Sequence, residues 1–195
     1  MRTATITRNT RETRICLTLN LDQVSPPAIQ TGLPFFDHML NAFACHGRFG
    51  LQIQATGDVD VDPHHLIEDV GIVLGEAIRE ALPGYKGIQR AGCFAFPMDG
   101  TLVVAALDLC GRPNLVWNLQ FGAFPVGGLD PNLFREFFKG LSDGMRGTLH
   151  LQVPCQDNDH HLIEAGFKAF ARTLREAVLP TGSDVALSTK GMLDT

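Results

Sequence analysis

Apolar residues recur along the chain with two periods, and the switches between them lay out the elements. Ile163, Phe167, Phe170, Leu174 and Val178 step by four, three, four and four residues, which puts them on one face of a helix. Val70, Leu74 and Ile78 do the same earlier in the chain. Leu82-Pro83-Gly84 and Leu179-Pro180 end these helices, because proline cannot extend one. Asp62 before Pro63 offers an N-cap to the first, and Asn158 or Asp159 to the second. Upstream of each helix the period becomes two. Leu51, Ile53 and Ala55 alternate with Gln52 and Gln54, and Leu149, Leu151 and Val153 with His150 and Gln152, as in half-buried strands. Another helix precedes each strand, over residues 35–45 and 131–141, the second capped by Asp130. Residues 14–21, 102–109 and 114–121 read as further strands, while Met1 to Thr10 is polar and basic.

The same order of elements twice suggests a duplication, and the residues carry one. His64-His65-Leu66-Ile67-Glu68 recurs 96 positions later as His160-His161-Leu162-Ile163-Glu164. At that offset Arg79-Glu80-Ala81 recurs as Arg175-Glu176-Ala177, so 8 of the 18 positions from 64 to 81 repeat without a gap. The repeat predicts two homologous halves, 1–88 and 89–195, within one compact domain. The fold class expected is α+β: two helix–strand–helix units, each with extra strands, forming mixed sheets with helices on one face.

Composition narrows the function. With 45% apolar and 19% charged residues, the 195-residue chain is an ordinary soluble globular protein. A net charge of −5 speaks against general binding to nucleic acid or an anionic membrane, both of which need a broad basic surface. No run of apolar residues is long enough to span a bilayer, and the polar N-terminus lacks a secretory h-region. Cys16, Cys45, Cys93, Cys110 and Cys155 are scattered, odd in number and free of any C-x-x-C pair. That usage predicts reduced thiols in a cytoplasmic protein and no thiolate zinc site.

The histidines carry the chemistry. Neighbouring residues on a helix point about 100° apart, so adjacent histidines cannot easily chelate one ion. Each does share a side with a carboxylate three or four residues on. His-His-x-x-Glu therefore predicts two metal ions, each pair sending one imidazole to each. His64, His65, Glu68, His160, His161 and Glu164 form the core of that set, and His38 and His150 can complete the shells. A single such motif reads equally well as histidines at a solvated helix start; duplication of the whole unit favours metal. Nitrogen and oxygen donors suit Mn, Fe, Co, Ni or Zn, with six-coordination pointing to Mn or Fe.

Several stretches together resemble the imidazoleglycerol-phosphate dehydratase family. They are Arg8 to Thr13, Thr31 to Leu40 (close to T-G-x-x-F-x-D-H-M-L), Asp62 to Gly71, and Asn158 to Arg175. Pro97-Met98-Asp99, Leu107-Asp108-Leu109, Gly111-Arg112-Pro113 and Ser188-Thr189-Lys190-Gly191 continue the match in the right order over nearly the full chain. Gly100, where the family usually has glutamate, and Ala42, where glutamine is common, depart from the pattern without removing a proposed ligand.

The resemblance implies a metal-dependent hydro-lyase of histidine biosynthesis. Its substrate would be D-erythro-imidazole-glycerol phosphate and its product imidazole-acetol phosphate. It also implies two Mn²⁺ per active site and a 24-subunit homo-oligomer with active sites between subunits. The departing hydrogen sits on a carbon bearing hydroxyl, so it is poorly acidic; a metal on the imidazole eases its loss, and a carboxylate must take it. By resemblance that base is Glu12, with His46 near the substrate. Arg90, Arg112, Lys168 and Lys190, with the Ser188 hydroxyl, would surround the phosphate. A di-metal hydrolase and a non-catalytic metal-binding paralogue are the alternatives these ligands allow.

Overall fold

The computed structural model describes residues 1–191 and 193. Its first half runs β1 (Thr3–Asn9), β2 (Thr13–Asn20), β3 (Ala28–Gln30), α1 (Pro34–Gly47), β4 (Gly50–Gly57) and α2 (His64–Ala81). The second repeats that order with β5 (Ala91–Met98), β6 (Thr101–Asp108), β7 (Asn114–Trp117), α3 (Leu133–Met145), β8 (Thr148–Cys155) and α4 (Asp159–Ala177). The sheets share one topology, β1-β2-β4-β3 and β5-β6-β8-β7. In each, the first three strands in that order are antiparallel and the last joins in parallel. The expected duplicated α+β architecture with mixed sheets is therefore present.

The alternating residues bury one face of each sheet. Ile15, Leu17 and Leu19 of β2 sit beside Leu51, Ile53 and Ala55 of β4, all nearly inaccessible. Helix α2 covers β1 and β2, and α4 covers β5 and β6. The remaining helices cross over: α3 packs on α2, and α1 packs on α4. Each half thus buries a helix of the other, and the two helical layers meet between the sheets. Phe137 stacks on Phe167 at 5.0 Å and Phe43 on Phe170 at 5.7 Å in that seam.

Three strands lie outside the sequence expectation: β1, β3 and β5. β1 and β5 are edge strands with one partner each. Their burial is partial, so neither needs the apolar alternation that betrays a central strand. The strand expected over 114–121 ends at Trp117, where Asn118 makes its last backbone bond to Leu151 at 3.0 Å. Among the described residues no helix is long and apolar enough to cross a membrane. All five cysteines are unpaired.

Candidate metal and substrate site

Both His-His motifs open their helices, as the capping residues require. Asp62 Oδ1 accepts the His64 N–H at 2.9 Å, with Pro63 already helical at φ −59°. Asn158 accepts the His161 N–H at 2.8 Å. Histidines placed at a helix start leave the main body of the element free to pack while their rings reach outward. The rings diverge as the helical geometry demands, with interplanar angles of 71° for His64 and His65 and 88° for His160 and His161.

One ligand group assembles within the chain. His38, His160 and Glu164 each offer a ligand atom, all within 4.8 Å of one another. His160 Nε2 stands 3.2 Å from Glu164 Oε2, and His38 Nε2 3.7 Å from the same oxygen. The contact of α1 with α4 brings His38 there. Its helix start is fixed by Asp37, whose Oδ1 accepts both the N–H and the hydroxyl of buried Thr31 at 2.9 and 2.6 Å. Burial raises the Glu164 carboxyl, but the Lys168 ammonium at 2.7 Å and the nearby imidazoles outweigh it and hold it below the usual range.

A second group occupies α2 and the hairpin beside it. His64 Nε2 lies 3.5 Å from Glu68 Oε2. His65 Nδ1 lies 3.1 Å from both oxygens of Asp58, which raises its pKa by hydrogen bonding despite some desolvation. Glu12 sits in the β1–β2 turn and lines a small concavity with Asp58 and Gly57. His161 is held differently from His65: its Nδ1 lies 2.8 Å from the Asn158 side-chain amide and 3.2 Å from both oxygens of Asp157, and its Nε2 lies 3.6 Å from Asp99. The Thr101 hydroxyl, with His161 and the Asn158 N–H, pulls the Asp157 carboxyl down to about 2. His150 projects from the exposed face of β8, opposite Ala106, and is not part of either group.

The proposed phosphate residues divide. Arg90, Arg112, Ser188 and Lys190 line one open cavity of about 700 Å³. Arg90 is braced there by Asp108 at 2.7 and 2.9 Å and by the Leu187 carbonyl. Lys168 stands apart, between Glu164 and the Phe96 ring. His46 joins it, edge-on to Phe96 at 5.2 Å. Burial, then the charges of Lys168 and Arg172, lower the His46 pKa.

Asp58, Asp157 and Asp69 are polar partners that sequence reasoning missed. Asp58 follows β4 and Asp157 follows β8, so they are equivalent in the repeat. The connecting loop is shorter in the second half, so the carboxylate precedes its histidine by seven residues in one copy and four in the other. A fixed 96-residue offset cannot find that pair; the strand-to-helix position would.

The comparisons with known proteins agree with one another. A family model described as imidazoleglycerol-phosphate dehydratase matches residues 31–174. The imidazoleglycerol-phosphate dehydratase of Lacticaseibacillus casei is 50% identical over 194 residues, covering 99% of this chain and 100% of that protein. Its counterpart from Geobacter sulfurreducens is 47% identical over 193 residues, covering 98% and 99%. A crystal structure of the Staphylococcus aureus N315 enzyme superposes with a TM-score of 0.83 at 37% identity, covering 92% of this chain and 99% of that one. One from Pyrococcus furiosus reaches 0.85 at 37% identity, covering 96% and 100%.

Proposed function

The chain belongs to the imidazoleglycerol-phosphate dehydratase family, and from that premise we propose that its ligand groups are joined between copies of the chain into a metal-dependent active site. It is a hydro-lyase of histidine biosynthesis that converts D-erythro-imidazole-glycerol phosphate into imidazole-acetol phosphate and water. The metal, the residue roles, the assembly and a cytoplasmic location are our reading.

The donor set fits a divalent transition ion. It consists of imidazoles and carboxylates with no thiolate among them, which suits six-coordinate Mn²⁺. His38, His160 and Glu164 would hold one ion, and His64 with Glu68 the other, with His65, His150 and His161 completing the shells from neighbouring copies. Asp58 favours this by holding Nδ1 of His65, which leaves its Nε2 for a metal. When bound, the metal draws charge from the substrate's imidazole and so eases proton loss from the adjacent carbon.

The chain's own residues supply the rest. The Glu12 carboxylate accepts the carbon-bound proton. Arg90, Arg112, Ser188 and Lys190 cradle the phosphate, Arg112 as a planar fork, Lys190 as a point charge, and Arg90 as a positive charge whose own fork is held by Asp108. Lys168 offsets the charge of Glu164 and shares the Phe96 ring with His46.

The observation that carries the metal reading is the convergence of His38, His160 and Glu164 from two helices onto one point. The test is turnover of imidazole-glycerol phosphate by Mn²⁺-loaded protein against a chelated sample, following the enolisable ketone at high pH. We expect turnover only with metal, and retention of metal but loss of turnover in Glu12→Gln. Undiminished turnover by verified metal-free protein would remove the metal from the mechanism; undiminished turnover by Glu12→Gln would remove Glu12 as the base.

A further inference from the structure

Glu12 sits in a hairpin turn, an element that would ordinarily be mobile on its own. A base that must reach one particular proton cannot be left so, because a misplacement of about 1 Å can cost on the order of 100-fold in rate. The turn is tied to α2 along two routes. In the first, Thr10 Oγ1 accepts the N–H groups of Glu12 and Thr13 at 3.1 and 2.9 Å. Thr10 also touches the Thr13 hydroxyl at 3.1 Å, and Thr13 Oγ1 donates to Asp69 Oδ2 at 2.5 Å. Asp69 is a carboxylate only 8% exposed, one residue beyond Glu68. Its other oxygen lies 2.9 Å from Arg8 Nε, across the hairpin from the turn. In the second route the Glu12 carbonyl accepts the Asp58 N–H at 3.1 Å, and the Asp58 side chain holds His65.

We propose that Arg8, Thr13 and Asp69 form a clamp that positions Glu12 against the metal-bearing face of α2, so that Thr13 and Asp69 are positioning residues for proton removal. The proposal rests on the reading of Glu12 as the base. A buried carboxylate ion-paired with a guanidinium on one side and hydrogen-bonded by a hydroxyl on the other has little freedom, so its partners inherit the orientation of the helix. The second repeat ties its turn down through a different carboxylate, since the position matching Asp69 is Ala165. Thr101, like Thr13 the first residue of its half's second strand, donates to Asp157 at 2.6 Å and so pins the β5–β6 turn beside His161. A buried threonine at the same structural point thus ties the turn down in both halves, to α2 itself in the first and to the loop before α4 in the second.

Thr13→Val keeps the shape and removes the donor. In the Mn²⁺-loaded enzyme we expect it to lower kcat by roughly 10- to 100-fold while KM and metal per chain stay within about twofold. Thr13→Ser, which restores the hydroxyl, should recover most of that loss. Glu12→Asp already displaces the carboxylate, so Thr13→Val should cost much less in that background than in wild type. Arg8→Gln, at a side chain 36% exposed, tests the clamp without disturbing the core and should lower kcat in the same selective way. Wild-type kcat in both Thr13→Val and Arg8→Gln would overturn the proposal. So would a lowered thermal stability with unchanged kcat, or an equal loss in the wild-type and Glu12→Asp backgrounds. Glu12→Gln separates the two levels: if it is inactive while Thr13→Val is fully active, the base stands and the clamp falls; if it is fully active, both fall.

Discussion

At the scale of single residues, the site depends on which ring nitrogen each histidine presents. Both oxygens of the Asp58 carboxylate lie 3.1 Å from His65 Nδ1, so that nitrogen carries the proton and Nε2 is left for a metal. The same bond favours the charged ring, which raises the pKa of His65 above its ordinary 6.5. The sign follows directly. In the metal-free protein the pair stabilises the fold fully below pH 6.5, and that contribution fades as pH rises through the raised value. Metal needs a neutral ring, so protons compete with it over the same window and occupancy falls as pH drops. We expect an NMR titration of the metal-free protein to place the His65 midpoint above 6.5 and Asp58→Asn to move it down; a midpoint that does not move would show that Asp58 does not govern the ring. The candidate ligands were legible in the sequence because a His-His pair is rare and this one recurs with its glutamate. Their carboxylate partners were not, because Asp58 and Asp157 keep a place in the fold rather than a spacing in the chain.

At the scale of elements, α2 must hold His64, His65 and Glu68 in register with the rest, and glycines set how it does so. A Cβ at Gly71 would stand 2.2 Å from the Phe137 carbonyl oxygen, and one at Gly144 would stand 2.3 Å from that of Ile72. Both obstacles are helix backbone, which cannot rotate away, so the α2–α3 contact admits no methyl group at these points. Gly71→Ala should therefore destabilise by about 2 kcal/mol net, overpacking outweighing the better helix propensity of alanine. Gly166 in α4 makes the contrast: its nearest neighbour would be Leu119 Cδ2 at 3.8 Å, so Gly166→Ala should be neutral or gain up to about 1 kcal/mol. Denaturant unfolding of both variants checks the pair, and equal effects would contradict the packing argument. Helix periodicity was visible from Val70, Leu74 and Ile78 because these face a continuous core. The crossover of α1 onto α4 was not, since an apolar stripe states that a partner exists and not which helix it is.

At the scale of the whole molecule, one chain carries the candidate ligands in two places, His38, His160 and Glu164 in one and His64 with Glu68 in the other. The ligand rings stay accessible, with His38, His160 and His64 side chains 55%, 49% and 39% exposed. Among the described residues only His38, His160 and Glu164 bring three ligand atoms to one point. A six-coordinate ion bound there would have positions to fill from outside the chain, and the Nε2 atom of His65, whose Nδ1 is held by Asp58, is suited to fill one in another copy. Metal that bridges copies makes its binding free energy part of the assembly free energy, and that part scales with the number of bridged contacts. Removing metal should then disperse a large homo-oligomer into smaller species, and returning Mn²⁺ should rebuild it. Single-ligand variants such as His65→Ala should shift the balance toward small species at a given protein concentration, while leaving the fold of each chain intact. Sedimentation velocity on matched loaded and chelated samples, with metal content measured on each, reads this directly. A full-size assembly after verified metal loss would mean that protein contacts alone hold the copies together and that the ions do not bridge them.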